Sequence, residues 1–152
     1  RIAKQPLLAG IKHLNRLEQV LIKQSLLDSR YPDALVCDTD HNIIETSIAN
    51  LFWKANDTWY TPSLDESGVE GVMRNTILAM LSAHQIKVQL TRQSIAQLGQ
   101  VQEMFACNSL MKIVSLNGVY SDVDDRKITV LENTQTHTFQ LWLNQQLQKQ
   151  DT

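Results

Sequence analysis

The sequence predicts a mixed α/β (α+β) fold built as one domain. Three segments carry apolar residues at helical spacing, and several short apolar runs bounded by turn residues lie between them. The predicted order is helix, several strands, helix, strand, short helix, strands and helix, which contains too many hairpins for a regular alternation of strands and helices. The 152 residues, 43% of them hydrophobic, suit one packed domain over 1–152.

The first helix is predicted over residues 13–29. Leu14, Leu17 and Leu21 recur on one face at helical spacing, with polar residues on the other faces. The Tyr31-Pro32 pair ends the helix, because the residue before a proline disfavours helical backbone.

Two hairpins are predicted next. An apolar run at 34–37 and a second at 43–44 flank the turn-forming residues 38–42. A second pair of strands, 51–53 and 58–61, flanks the turn at 55–57 and ends at Pro62.

The remaining elements follow a loop over 63–71 that carries two glycines and three acids. A helix is predicted from Val72 to His84, and Ser94 can cap a short helix that ends at Leu98. A turn is expected at 117–118 and a charged loop at 122–127. Further strands are predicted over 86–91, 103–107, 112–116 and 128–130, and a last helix over 133–149.

Composition excludes several classes of function. The formal charge of 14 − 16 = −2 lacks the basic excess of a nucleic-acid-binding domain. The best apolar stretch, 76–86, is interrupted by polar residues and too short to span a membrane. Cys37 and Cys107 cannot build a disulfide framework, and no cysteines and histidines have zinc-binding spacing. We therefore expect a cytoplasmic protein with no metal, membrane or nucleic-acid partner.

Two ionisable residues are candidates for chemistry. Lys12 lies just after Gly10 and before the first helix, where a desolvated amine could lose its proton and attack a carbonyl. Glu45 follows an apolar strand, where its carboxylate could pair with a protonated heterocycle nitrogen. The alternatives are a solvated lysine and an exposed hairpin acid.

Two further segments suit a phosphate group. Val72 and Met73 begin a helix after a glycine-bearing loop, so their backbone N–H groups could bind an anion. Ser109, at the end of an apolar strand, could add a hydroxyl. The alternatives are an ordinary helix start and an ordinary strand end.

Taken together and in order, these segments resemble the fold-type IV pyridoxal-phosphate enzymes, which include branched-chain aminotransferases, D-amino-acid aminotransferases and aminodeoxychorismate lyases. The resemblance covers about residues 7–116 and rests on segments 8–19, 45–52 and 71–74. Segment 12–19 looks most like that of the aminodeoxychorismate lyases. The resemblance implies the larger carboxy-terminal, cofactor-binding domain of such an enzyme, a curved barrel-like sheet with flanking helices.

The resemblance also implies a role for each candidate residue. Lys12 would form the Schiff base with pyridoxal 5′-phosphate and later carry a proton, and Glu45 would face the pyridine nitrogen. Val72 and Met73 would offer N–H groups to the phosphate, and Ser109 a hydroxyl. Arg16 and Asn50 would lie beside the cofactor.

The implied reaction converts 4-amino-4-deoxychorismate, a small-molecule substrate, to 4-aminobenzoate and pyruvate in folate biosynthesis. One alternative is a branched-chain or D-amino-acid aminotransferase, and a second is a non-catalytic domain retained for dimerisation. Relatives are homodimers, so we expect a homodimer. Relatives also carry an amino-terminal domain that supplies part of the substrate pocket. Nothing in this chain corresponds to that domain, so we expect a longer enzyme.

Overall fold

The computed structural model describes residues 1–150 as a mixed α/β fold. The prediction of an α+β fold with flanking helices is therefore confirmed. The elements in chain order are α1 (Leu17–Ser25), β1 (Leu35–Cys37), β2 (Ile43–Thr46), β3 (Asn50–Ala55), β4 (Thr58–Pro62), α2 (Val72–Ala83), β5 (Val88–Thr91), a 3₁₀ helix (Ile95–Gln100), β6 (Glu103–Asn108), β7 (Lys112–Ser115), β8 (Gly118–Tyr120), β9 (Lys127–Val130) and α3 (Thr134–Gln150).

A five-stranded mixed sheet in the order β5-β4-β3-β6-β7 forms the centre of the fold. Strands β4 and β5 run parallel, and the other neighbours are antiparallel. The β3–β4 hairpin turns at Asn56 and Asp57, whose φ angles of 47° and 58° match the left-handed backbone of a tight hairpin. The sheet is open, with β5 and β7 at its edges, and does not close into a barrel.

Apolar residues cover both faces of this sheet. Because successive strand residues point to opposite faces, Trp53 joins a cluster with Leu98 and Met104, whereas Phe52 joins Phe105 and the helices α2 and α3 on the other side. Two smaller antiparallel sheets, β1-β2 and β8-β9, complete the fold.

Helix α3 begins where a buried carboxylate meets its first turn. Glu103, at the start of β6, accepts hydrogen bonds from the backbone N–H groups of Gln135 and Thr136 at 3.0 and 2.9 Å. A helix leaves its first N–H groups without intrahelical partners, so this carboxylate takes the place of a local cap.

The first helix is shorter than the sequence predicts, since it begins at Leu17 and ends at Ser25. Gly10 pairs with the loop before α2 through both of its backbone groups, and turns occupy the residues between Gly10 and Arg16. The chain from 13 to 16 is therefore not free to continue the helix toward its amino end. Leu14 is fully exposed, although its spacing fits the helical stripe.

One strand has no counterpart in the sequence prediction. Residues 117–118 were expected to turn, but Gly118 begins β8, which pairs with β9. A three-residue strand is too short to show the alternation by which a strand is recognised.

Candidate functional site

The segment that carries Lys12 is fixed to the loop before α2. Gly10 has a left-handed φ of 77°. Its N–H donates to the carbonyl of Gly68 at 3.0 Å, and its carbonyl accepts from the N–H of Glu70 at 2.9 Å. Lys12 follows two residues later, exposed and without a hydrogen bond or ion pair to any residue in 1–150. Within this chain Lys12 is therefore solvated, as the alternative predicts, and not the desolvated amine that the sequence analysis considered.

Glu45 is buried in β2, and only 3% of it is exposed. Its Oε2 accepts a hydrogen bond from the N–H of Val69 at 3.0 Å, whereas its buried Oε1 has no hydrogen-bond partner among the described residues. The Arg16 guanidinium lies 3.9 Å from Oε1. The alternative of an exposed hairpin acid is therefore wrong.

Burial dominates the electrostatics of this carboxyl group. Loss of solvent raises the pKa of Glu45, and the Val69 N–H, the Arg16 charge and the Gln19 amide each lower it in part. A buried carboxylate with a free oxygen favours a ligand that brings a proton donor or a positive charge to that oxygen.

Asn50 connects the start of β3 to the same loop. Its Nδ2 donates to the carbonyl of Val69 at 2.6 Å, and its Oδ1 accepts from the N–H of Gly71 at 3.2 Å. The loop at 68–71 therefore receives bonds from the Lys12 segment, from Glu45 and from Asn50.

The amino terminus of α2 follows directly. Gly71 caps the helix with extended backbone, no side chain accepts from its first N–H groups, and its first turn carries no acid. Val72 is exposed and Met73 is buried, but both lie in the first turn. The positive end of the helix dipole and the unbonded N–H groups suit an anion.

Arg74, in the same turn, is a buried residue to which the sequence analysis gave no role. It is 3% exposed, donates to the carbonyl of Pro62 at 3.1 Å and lies 3.6 Å from Glu70. Burial lowers its pKa and the Glu70 charge raises it. The guanidinium fastens the start of α2 to the end of β4. The one sequence feature that could have identified Arg74 as part of the site is its position next to a helix start that follows a glycine.

Ser109 lies beyond the same end of the sheet as Asn50. Cys107 of β6 pairs with Asn50 of β3, and the chain then turns through Ser109 into β7. The Asn108 side chain holds this turn by accepting from Leu110 and Met111 N–H at 3.0 and 2.7 Å. Ser109 is exposed in the turn.

The arrangement places an amine-bearing segment, a buried carboxylate and an uncapped helix terminus around one loop. Such a site suits a ligand with an aldehyde or other carbonyl, a proton-bearing nitrogen and an anionic group. Within residues 1–150, no group of three or more His, Cys, Asp or Glu side chains is arranged to hold a metal ion. No helix in that range has the length and apolarity needed to cross a membrane.

Known proteins share this sequence and fold. The chain is 40% identical over 119 residues to aminodeoxychorismate lyase of Vibrio harveyi, covering 78% of this chain and 44% of that protein. The crystal structure of 4-amino-4-deoxychorismate lyase from Pseudomonas aeruginosa is 34% identical, with a TM-score of 0.79 over 91% of this chain and 50% of that one. An aminotransferase from Brucella abortus, solved bound to pyridoxal phosphate, shares the fold at 21% identity and a TM-score of 0.73, over 86% of this chain and 44% of its own.

The chain thus spans about half the length of the relatives it matches. The family model described as amino-transferase class IV matches residues 1–119, in agreement with the resemblance found in the sequence. On this match and on the 40% identity, the chain belongs to the class IV aminotransferase family.

Proposed function

We propose that the protein carrying this chain is a pyridoxal-phosphate-dependent lyase that converts 4-amino-4-deoxychorismate to 4-aminobenzoate and pyruvate. Glu45 carries the proposal, because its buried Oε1 has no partner among the described residues while its Oε2 is bonded to Val69, in the loop to which the Lys12 segment is also bonded. The resemblance to two proteins named as aminodeoxychorismate lyases, at 40% and 34% identity, supports this substrate.

The residues present fit the cofactor at three points. Glu45 Oε1 lacks a donor, which the protonated pyridine nitrogen would provide. The uncapped start of α2 offers the N–H groups of Val72 and Met73 to the phosphate, and the exposed Ser109 adds a hydroxyl. Asn50 would keep the loop in place, and Arg16 would support Glu45 from the cofactor side.

When bound, pyridoxal phosphate supplies an aldehyde and an electron-accepting ring. The Lys12 amine would hold that aldehyde covalently, with loss of water, and once released by a substrate amine it would be the base for the proton on the substrate carbon that bears the nitrogen. Glu45 would hold the proton on the pyridine nitrogen through a charge-assisted hydrogen bond.

An aminotransferase acting on branched-chain or D-amino acids is the second candidate. The fold shared with the Brucella abortus aminotransferase supports it. The two reactions would differ in where Lys12 returns the proton and in the products, since a transaminase would release a keto acid. A non-catalytic domain retained for dimerisation would bind no cofactor.

Loading and product analysis test the proposal. The purified protein is incubated with pyridoxal phosphate, reduced with borohydride and digested, and the phosphopyridoxyl peptide is located by mass spectrometry. We expect a yellow protein, a label on Lys12, and 4-aminobenzoate formed from aminodeoxychorismate. Glutamate-dependent keto-acid exchange without 4-aminobenzoate would favour the aminotransferase. A colourless protein that takes up no cofactor would favour the non-catalytic domain.

Three wider predictions accompany this function. We propose that the reaction serves folate biosynthesis, that the protein is cytoplasmic, and that it acts as a homodimer in which this chain is the carboxy-terminal, cofactor-binding domain. Light scattering of the cofactor-loaded protein measures the assembly, and a monomer under assay conditions would contradict the dimer.

A further inference from the structure

We infer that Arg74 is a positioning residue for the phosphate of the cofactor, because it holds the first turn of α2 in place and gives that turn a positive charge. This role rests on the proposed function, in which the N–H groups of Val72 and Met73 bind the phosphate. Arg74 is the third residue of α2 and is 3% exposed. Within residues 1–150, it is the only lysine or arginine that is buried.

Three hydrogen bonds hold the Arg74 guanidinium, and two of them reach the end of β4. Its Nε donates to Thr61 Oγ1 at 3.4 Å, and its Nη2 donates to the carbonyl of Pro62 at 3.1 Å. Thr61 is buried, and its hydroxyl donates in turn to the carbonyl of Leu51 in β3 at 2.7 Å. The third bond, from Nη1 to Asn75 Oδ1, is the longest at 3.5 Å. The first turn of α2 is therefore tied to two strands of the central sheet.

The same guanidinium also reaches the loop to which the Lys12 segment is bonded. Arg74 Nη1 lies 3.6 Å from Glu70 Oε1. The N–H of Glu70 donates to the carbonyl of Gly10, two residues before Lys12. Arg74 thus connects the helix start that would bind the phosphate with the segment that would hold the aldehyde.

The positive charge of Arg74 is poorly compensated within the described residues. Its ionic partner Glu70 has a side chain that is 53% exposed, and the three acceptors of its hydrogen bonds are neutral. A cation in the first turn of a helix also lies at the positive end of the helix dipole, where it is disfavoured. An apolar side chain of similar volume would avoid this cost. An anion bound by the first N–H groups of α2 would supply the missing negative charge, so a buried arginine at this position fits a phosphate site.

The test compares the binding of pyridoxal phosphate with that of pyridoxal, which has the same ring and aldehyde but no phosphate. Arg74→Met removes the charge and the donors, whereas Arg74→Lys retains the charge. Thr61→Val removes the acceptor of Nε and is the milder change should Arg74→Met fold poorly. Arg126→Met is the matched control, because it removes the same charge at a side chain that is 77% exposed. Absorbance titration gives the dissociation constants of the variants that circular dichroism shows to be folded.

We expect Arg74→Met to weaken the binding of pyridoxal phosphate by at least about tenfold, while the binding of pyridoxal stays within about twofold of wild type. Arg74→Lys and Thr61→Val should weaken the binding of pyridoxal phosphate less, again without a matching loss for pyridoxal. Arg126→Met should bind both ligands as the wild type does. Equal losses for the two ligands, or no loss for pyridoxal phosphate in the folded Arg74 and Thr61 variants, would overturn the inference.

Inorganic phosphate separates this role from the proposed function, because it binds without the Lys12 amine. At equal ionic strength, phosphate should raise the urea unfolding midpoint of the wild type and of Arg126→Met more than that of Arg74→Met. An equal shift in all three proteins would contradict the inference.

The two proposals can therefore fail separately. A protein that takes up no pyridoxal phosphate, but whose response to inorganic phosphate depends on Arg74, would refute the proposed function and support the role of Arg74. A protein that loads pyridoxal phosphate on Lys12, with the same ratio of the two affinities in Arg74→Met as in the wild type, would refute only the positioning role.

Discussion

At the scale of single residues, the two ionisable groups of the site, Lys12 and Glu45, differ in their exposure to solvent. Lys12 is exposed and without a partner within residues 1–150, whereas Glu45 is buried and satisfied on one oxygen. Desolvation and hydrogen bonding act in opposite directions on Glu45, so its charge depends on the neighbours that remain. The chemistry of Lys12 depends instead on what binds against it.

The Lys12→Ala variant separates reactivity from stability. Because Lys12 is exposed, its removal should change the free energy of unfolding by no more than about 0.5 kcal/mol. Loss of the proton carrier should lower turnover by at least about 10²-fold, and borohydride should no longer fix the cofactor. Urea unfolding, 4-aminobenzoate formation and peptide mass spectrometry measure these effects.

Lys87→Ala is the matched control, since Lys87 is also exposed and without a partner in the described part of the chain. It should retain wild-type turnover and labelling. Full turnover in Lys12→Ala would remove Lys12 from the mechanism.

Sequence patterns identify some of these residues and not others. Lys12 follows a glycine just before a predicted helix, and Glu45 follows an apolar strand, so both can be recognised as candidates from local sequence. The family resemblance then implies a role for each. Glu103 has no such signal. Its carboxylate accepts from the N–H groups of Gln135 and Thr136 at the start of α3, residues that are distant in sequence.

At the scale of elements, the loop at 68–71 connects the parts of the site. The Lys12 segment, β2, β3 and α2 all meet there through backbone or side-chain hydrogen bonds. This loop carries two glycines because neighbours approach closely. A Cβ on Gly71 would overlap Asn50 Oδ1, and one on Gly68 would lie 2.6 Å from Ile44 Cγ2.

Gly71→Ala tests the importance of that close approach. The backbone of Gly71 is extended, with φ −72° and ψ 145°, and suits alanine, so the cost comes from the clash with Asn50. We expect a loss of roughly 1–3 kcal/mol in the free energy of unfolding, and weaker binding of pyridoxal phosphate as the start of α2 shifts. Urea unfolding and absorbance titration measure the two effects.

Gly99→Ala provides the comparison, because a Cβ there meets nothing within 4 Å. Its stability should match or slightly exceed that of the wild type, and cofactor binding should not change. Equal effects of the two substitutions on cofactor binding would show that the position of Gly71 against Asn50 does not matter.

Element boundaries show what local patterns leave out. The stripe of leucines predicts a helix from residue 13, yet the hydrogen bonds of Gly10 and the turns after it delay the helix until Leu17. The stripe itself stays exposed, so helical spacing identified the element without identifying a buried face.

At the scale of the whole molecule, the order of strands in the sheet decides which strand ends lie side by side. Strand β6 inserts beside β3 and so brings Asn108 and Ser109 to the sheet end that holds Asn50. Hairpin patterns predict the pairing of neighbours in sequence, such as β3 with β4, because a short turn fixes it. The pairing of β3 with β6 depends on long-range packing of Phe52 on Phe105, which the hydrophobic pattern alone does not encode.

Stability against pH is a property of the whole molecule to which Glu45 contributes with a definite sign. Burial raises the pKa of Glu45 in the folded state, whereas an unfolded chain has a glutamate pKa of about 4.3. The folded state therefore binds the proton more tightly, and stability falls as the pH rises from about 4.3 through the folded-state pKa. Above that pKa the contribution of Glu45 to the free energy of unfolding no longer changes with pH.

Glu45→Gln isolates this contribution, because it removes the titrating group and leaves the other ionisable residues in place. In the cofactor-free proteins, the free energy of unfolding of the wild type should fall relative to that of Glu45→Gln as the pH rises from 4 toward neutrality. Urea unfolding of both proteins at each pH measures the difference. A difference that stays flat, or that favours the wild type as the pH rises, would mean that hydrogen bonding and the Arg16 charge outweigh burial at Glu45.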